Sequence, residues 1–266
     1  MRQIFSRSNF TIATGIILLF AVIILSPKNI YAIEVTTAKQ ESSTANSKTS
    51  PFCTNLATES AKVKANLSEL SNKLTTAWTQ QSTTKTTDWQ KVDQQVSANR
   101  AAADTKLTDS LAKLTEKAIN DTQKQAITDY ANAVNAALAT RRNDIDTART
   151  TFRSAVDNLL TTRQNTVLTQ LSNFQSSVDT AIATATDACA SESASGVAVH
   201  KAYQDSLATA RTTFQSNRSN DDKVKTDLPQ LTAARDASFK AIDATFQANM
   251  NAAKTALQTA LKNTSI

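Results

Sequence analysis

The sequence predicts an all-α fold: an elongated antiparallel bundle of long helices, organised as coiled-coil-like hairpins with alanine-rich seams and no β-sheet. Of 266 residues only two are glycine and three are proline, and none lies between Pro51 and Gly196. Tight turns need such residues. Apolar residues recur every three or four positions along that stretch, as on one face of a helix. Aromatic residues form only 5% of the chain, which favours slender helices over a thick globular core.

The first 32 residues have the organisation of a secretory signal peptide. Arg2 and Arg7 precede an apolar stretch over residues 10–25, and Ile30-Tyr31-Ala32 fits a cleavage site after Ala32. An uncleaved anchor is the alternative, since the apolar stretch is slightly shorter than the roughly 17 residues that span a bilayer. Either way we expect the rest of the chain to be extracytoplasmic: secreted, periplasmic or at the cell surface. Membrane contact is expected only through residues 10–25, if they stay attached.

The charge of the exported part is mild. Loss of Arg2, Arg7 and Lys28 with the leader lowers the formal net charge from +6 to +3. The remaining basic residues are dispersed rather than gathered in a stripe, so no nucleic-acid partner is expected. Residues 33–50 are polar with few apolar positions and are typical of a flexible tether.

Two cysteines, Cys53 and Cys189, are the only ones in the chain. Outside the cytosol a pair of cysteines is more often bonded than free, so we expect an internal disulfide between positions 136 residues apart. An interchain bond and a reactive thiol are the alternatives. A nucleophilic cysteine would usually need a histidine as its base. Nothing in the spacing between the cysteines and His200, the single histidine, indicates such a pair.

Residues 51–190 are expected to form a bundle of long helices. Pro51 suits the first turn of a helix. The polar segment 82–88 interrupts the apolar pattern and predicts a hairpin turn, with Asp88 capping the next helix. Weaker candidate turns lie at 120–122 and 141–144, so the pattern leaves open whether 89–190 is one helix or several.

The strongest breaks in the pattern lie at 191–196 and 217–229. They predict that residues 197–266 form a C-terminal helical hairpin that packs on the bundle. The segment TARTTFRS at 147–154 recurs as TARTTFQS at 209–216. This favours duplication of a helical unit, although the shared alanine and phenylalanine are also ordinary residues of the apolar stripe. A Thr/Arg binding face displayed twice is the remaining interpretation.

The only tryptophans, Trp78 and Trp89, flank the predicted turn at 82–88. One interpretation is that they pack against each other and close the end of the bundle. The other is a contact patch at the tip of a hairpin, since tryptophan is enriched at the hot spots of protein interfaces.

The sequence contains no recognisable catalytic or metal-binding motif. One histidine excludes HExxH and the usual Cys/His zinc clusters, and neither GxSxG nor a phosphate-binding glycine loop is present. We therefore expect no enzyme activity, no cofactor and no metal.

The function predicted from these features is that of an exported helical structural or interaction protein of the cell envelope or extracellular space. It would serve as a stalk, an adhesin-like spacer or a binding module, with a protein or cell-surface component as its partner. The alternative is an extracytoplasmic holdase-type chaperone with helical arms. A pore-forming helical toxin is the least favoured, because no second long apolar run follows Leu25.

Overall fold

The computed structural model describes residues 50–191, 195–219 and 223–263, and every regular element in them is an α-helix. The helices are α1 (Pro51–Glu116), α2 (Asp121–Ala190), α3 (Gly196–Ser219) and α4 (Lys223–Asn263). The predicted all-α bundle is therefore confirmed. The predicted leader and the tether up to residue 49 lie outside the described residues.

The chain divides into two compact units, each built from three helical segments. The first, named here the disulfide unit, comprises described residues 50–86, 161–191 and 195–219. The second, the arginine unit, comprises 87–160 and 223–263. The long helices α1 and α2 each contribute one part to each unit, while α3 belongs to the disulfide unit and α4 to the arginine unit.

The disulfide unit has a continuous apolar core. On α1 the buried residues are spaced by three, four or seven positions, which places them on one helical face. The rings of Phe174 on α2 and Phe214 on α3 stack with centroids 5.2 Å apart. The sixteen buried residues of this cluster are Phe52, Leu56, Val63, Leu67, Leu70, Leu74, Leu171, Phe174, Val178, Ala181, Ala185, Val199, Tyr203, Leu207, Ala210 and Phe214.

The arginine unit buries fewer apolar residues, and its part of α1 has none that is fully buried. The α1 and α2 segments run antiparallel, as shown by ion pairs between Arg100 and Asp146 and between Arg142 and Asp104. Helix α4 also runs antiparallel to α2. The buried apolar residues of this unit are Ile127, Val134, Ala137, Val156, Val224, Phe246 and Ala253.

The predicted hairpin turn at 82–88 is wrong, because α1 continues through it without interruption. Threonine hydroxyls bond to backbone carbonyls one turn earlier, at 3.0 Å from Thr79 to Thr75 and 3.0 Å from Thr83 to Thr79. These residues are largely exposed. An exposed polar segment weakens a helix by only tenths of a kcal/mol per residue, roughly, and the core on its N-terminal side and the ion pairs on its C-terminal side keep it helical.

The turn between α1 and α2 lies at residues 117–120, and a capping arrangement explains it. The Gln123 backbone N–H donates to the Asn120 side chain at 2.9 Å, and the Gln123 side chain accepts from the Ile119 N–H at 3.0 Å. The arrangement is related to a capping box, but the Gln123 side chain accepts from the residue before the N-cap Asn120 rather than from Asn120 itself. The weaker candidate turn at 120–122 is therefore close to the real one, whereas the candidate at 141–144 lies inside α2. Residues 89–190 belong to two helices rather than one.

Other helix ends agree more closely with the sequence. Pro51 is the first residue of α1, and Ser50, predicted to belong to the tether, caps it by accepting the Cys53 N–H at 3.2 Å. Helix α2 ends at Ala190 and α3 begins at Gly196, on either side of the predicted break. The predicted C-terminal hairpin does not form one unit, because α3 and α4 pack in different units.

Candidate functional site

A disulfide joins the first turn of α1 to the last turn of α2. Cys53 and Cys189 are bonded with their Cα atoms 5.6 Å apart, a usual separation for this cross-link. Both cysteines are half-buried and pack against the apolar core of the disulfide unit. The predicted internal pairing is confirmed, and no cysteine is left as a free thiol.

Aromatic and hydroxyl side chains surround this end of the disulfide unit. The His200 ring stacks on Phe52 with centroids 4.5 Å apart, and the Tyr203 ring is tilted against Phe52 with centroids 5.6 Å apart. Burial raises the pKa of Tyr203, and the nearby Ser60 hydroxyl acts in the opposite direction. Neither hydroxyl oxygen has a partner with normal hydrogen-bond geometry, and neither has Nε2 of His200.

The two tryptophans do not lie at a hairpin tip. They are eleven residues apart on the continuous helix α1. Trp78 is half-buried against the core of the disulfide unit. Trp89 belongs to the arginine unit, where the Arg153 guanidinium lies 5.2 Å from its ring centroid and donates to its carbonyl at 3.3 Å. Their predicted role as a tip contact patch loses its basis, because the chain does not turn between them.

An Arg–Asp ladder links α1 to α2 in the arginine unit. Arg100 donates two hydrogen bonds to Asp146, both at 2.8 Å, and Arg153 donates two to Asp93, both at 2.9 Å. Arg149 also pairs with Asp93. Hydrogen bonds from arginine are the largest cause of the lowered pKa of each of these two carboxyls. Since each carboxylate is occupied, the ladder holds helices together rather than offering a binding site.

A groove with a volume of 380 Å³ lies between α2 and α3 in the disulfide unit. The stacked rings of Phe174 and Phe214 form part of its wall. At one end the side chain of Gln170 donates to the Asn217 carbonyl at 3.3 Å, which ties the two helices together. The Gln170 Oε1 atom is buried there without a hydrogen-bond partner.

The groove lining is rich in neutral hydrogen-bonding groups. Amides come from Gln170, Asn173 and Asn217, and hydroxyls from serines and threonines on both helices. Ser206 and Thr209 donate to carbonyls of their own helix, each at 2.9 Å, so their oxygens can still accept hydrogen bonds. The surface can therefore both donate to and accept from a polar ligand.

One carboxylate, Asp205, lines the groove, and Lys201 pairs with it at 2.6 Å. This carboxylate is exposed, and its charge is balanced by the lysine one turn earlier on α3.

The groove was not among the sites predicted from the sequence, although the repeated segment forms part of its wall. The repeated segment 209–216 supplies Thr209, Ala210, Thr213 and Phe214 to the lining. Its first copy, 147–154, lies instead in the arginine unit, where the Arg235 guanidinium stacks 4.7 Å from the Phe152 ring. Nearly the same eight residues thus lie in two environments, and the one position that differs is Arg153, which bonds to Asp93, in the first copy and Gln215 in the second.

Comparisons with known proteins found no matching family model, no matching curated protein and no matching solved structure. Within the described residues, no group of three or more histidine, cysteine or acidic side chains is placed to hold a metal ion. None of the described helices combines the length and apolar character needed to cross a membrane.

Proposed function

We propose that this chain is an exported, non-enzymatic helical protein that acts as a structural or binding module of the cell envelope or extracellular space. The observation that carries the proposal is the Cys53–Cys189 disulfide. Disulfides form and persist in oxidising compartments and are rare in the cytosol. The arrangement of basic, apolar and small residues at positions 1–32 supports the same conclusion independently.

The groove between α2 and α3 is the surface that we propose for a partner. Its walls come from two helices held by stacked Phe174 and Phe214, so little ordering of the chain is required on binding. Its neutral amides and hydroxyls favour recognition by hydrogen bonds, and its one carboxylate is already paired.

Export is tested by the intact mass of the protein purified from its native host, with thiol alkylation before and after reduction. We expect a mass that begins at Ile33 and two thiols that become reactive only after reduction. A mass that retains Met1 would instead indicate an anchored protein. Thiols that are reactive without reductant would contradict the assignment to an oxidising compartment.

Surface exposure on cells and the alternative holdase role are tested separately from export. We expect protease treatment of intact native cells to remove the protein and the purified chain to leave the aggregation of a denatured client unchanged. Suppression of client aggregation at equimolar protein would contradict the proposed function and favour a holdase.

A further inference from the structure

The lining of the groove between α2 and α3 is rich in hydrogen-bond acceptors. The hydroxyls of Ser177, Ser206 and Thr209 donate to carbonyls of their own helices at 3.0, 2.9 and 2.9 Å. Because each of these protons is already engaged, each hydroxyl oxygen is left to accept from a ligand. Thr75 on α1 bonds in the same way, but here such oxygens from two helices line one groove.

Two asparagines add donors to this lining. Asn173 lies on α2 and Asn217 lies near the end of α3, and both are exposed. Each side-chain amide offers two N–H donors and one carbonyl acceptor. Together with the hydroxyl oxygens, the two amides form a surface that suits a ligand with many O–H donors and some acceptors.

The charge in the groove lining is balanced. Asp205 is the one ionisable group among the described residues that line the groove, and Lys201 pairs with it at 2.6 Å. An ionic ligand would lose its hydration on binding without meeting an unpaired charge in the lining, whereas a neutral ligand has no such cost. The groove therefore favours a neutral ligand.

The groove is also elongated. Its lining on α3 runs from Asp205 to Asn217, about 18 Å along the helix, and its volume is 380 Å³, near the lower end of the usual range for ligand sites. This shape suits a chain-like ligand. An extended peptide offers one backbone N–H donor per residue, whereas each ring of a saccharide carries several hydroxyls, so a saccharide matches the acceptors of the lining better.

We propose that this groove binds a neutral oligosaccharide, whose hydroxyls donate to the oxygens of Ser177, Ser206 and Thr209 and accept from the amides of Asn173 and Asn217. The inference rests on the proposed function for the choice of this groove as the partner surface, and it names the chemical class of that partner.

The test is binding of the oxidised full chain to an array of immobilised oligosaccharides. The array contains neutral glucans, galactans, mannans and N-acetylglucosamine oligomers, together with cationic glucosamine oligomers and acidic uronic acid oligomers. We expect retention on neutral members, and added salt should leave it unchanged, because salt screens only interactions between charges. Retention on charged members alone, loss of retention at high salt, or retention on no member would each overturn the proposal.

Variants at matched positions locate the site. Thr209→Val removes a hydroxyl acceptor with little change in shape, and Asn173→Ala removes an amide, so each should weaken binding of the retained saccharide about two- to tenfold. Thr212→Val and Asn165→Ala are the controls, because Thr212 and Asn165 are exposed on the same two helices outside the groove lining. The controls should bind as the unaltered chain does. An equal loss in the controls would overturn the assignment of the groove.

A measurement on the unaltered chain covers the case in which a variant fails to fold. The side-chain amide NMR signals of Asn173 and Asn217 should shift when the retained saccharide is added, whereas that of Asn165 should not. Unmoved Asn173 and Asn217 signals at saturating ligand would place binding elsewhere and overturn the proposal. Such a failure would leave export untouched, because the intact mass and thiol measurements test export without a ligand.

Discussion

The two units use different forces to hold segments of the same two long helices. The described part of the disulfide unit buries sixteen apolar residues in one cluster, and its ion pair between helices, Lys64 with Asp179, is more than half exposed. The arginine unit buries seven apolar residues in its described part and links its helices through arginine and aspartate. Apolar burial dominates one unit, and directed polar contacts are prominent in the other.

In the arginine unit, where few apolar residues are buried, arginine rather than lysine makes the ion pairs between helices. A guanidinium can bind a carboxylate through two hydrogen bonds while its flat face covers an aromatic ring. In the arginine unit Arg141 pairs with Asp243 and lies 5.0 Å from the Phe246 ring centroid. Exposed ion pairs contribute only about 0–1 kcal/mol each, whereas a fully buried phenylalanine contributes about 1.5–3 kcal/mol. We therefore expect the disulfide unit to be the more stable one.

The largest expected effect is that of the disulfide. Replacing Cys53 and Cys189 by serine should destabilise the disulfide unit by up to about 4–5 kcal/mol, because the bond no longer restricts a long loop in the unfolded chain. Tryptophan fluorescence can report on each unit separately. In a Trp89→Phe variant the signal comes from Trp78 in the disulfide unit, and in a Trp78→Phe variant it comes from Trp89 in the arginine unit. In denaturant titrations the Trp78 transition should move much further than the Trp89 transition. Equal shifts would show that the two units unfold together.

A smaller effect is expected from acid. The pKa values of Asp93, Asp104 and Asp146 are lowered below the ordinary 3.8, in each case chiefly by hydrogen bonds from arginine. The pairs therefore stabilise the arginine unit fully above that value, and their contribution is lost as pH falls through the lowered pKa values. The thermal midpoint read at Trp89 should fall below pH 4 more than that read at Trp78.

Salt and a matched variant sharpen the acid experiment. High salt should lower the Trp89 midpoint at neutral pH, since it screens exposed pairs. Asp93→Asn removes the carboxylate shared by Arg149 and Arg153, and it should reduce the acid sensitivity at Trp89. Glu69 pairs only within its own helix and is exposed, so Glu69→Gln is the control. Identical acid responses at both tryptophans would contradict the electrostatic account.

The smallest expected effect concerns the threonine-rich segment of α1. Thr83→Ala or Thr84→Ala should stabilise the helix there by about 0.5 kcal/mol, because alanine has the higher helix propensity. Amide hydrogen exchange over 82–88 should slow by about twofold. Thr105→Ala, at another exposed site on α1, controls for local effects by leaving exchange at 82–88 unchanged. Faster exchange after either substitution would show that the threonine hydroxyl bonds stabilise the segment.

Much of the fold was predictable because local patterns carry it. The helix start at Pro51, the break near Gly196 and the pairing of Cys53 with Cys189 all agree with the structure. The turn at 117–120 was harder to predict, because its signal is only an asparagine followed three residues later by Gln123. The segment 82–88 was wrongly predicted to be a turn. Its residues have weak helix propensity, as turn residues do, and the contacts on either side that keep it helical cannot be read from the sequence.

The repeat at 209–216 marked one wall of the candidate site, but the complete site was not predictable, because its parts come from separate helices. Gln170 and Asn217 are distant in sequence and meet only through the antiparallel packing of α2 and α3. No local pattern encodes which residues of two helices face each other.

The sequence by itself determined that the chain is helical, that a helix begins at Pro51 and that a break precedes Gly196, and it favoured the pairing of Cys53 with Cys189. These features follow from the spacing of apolar residues and from the scarcity of glycine and proline. Both are local signals, because each acts on the conformation of only a few neighbouring residues. Tertiary structure alone decided the division into two units, the ion-pair partners of the arginines and the position of the groove. Those depend on helix register, which is set by the summed packing of many side chains across the interfaces between helices.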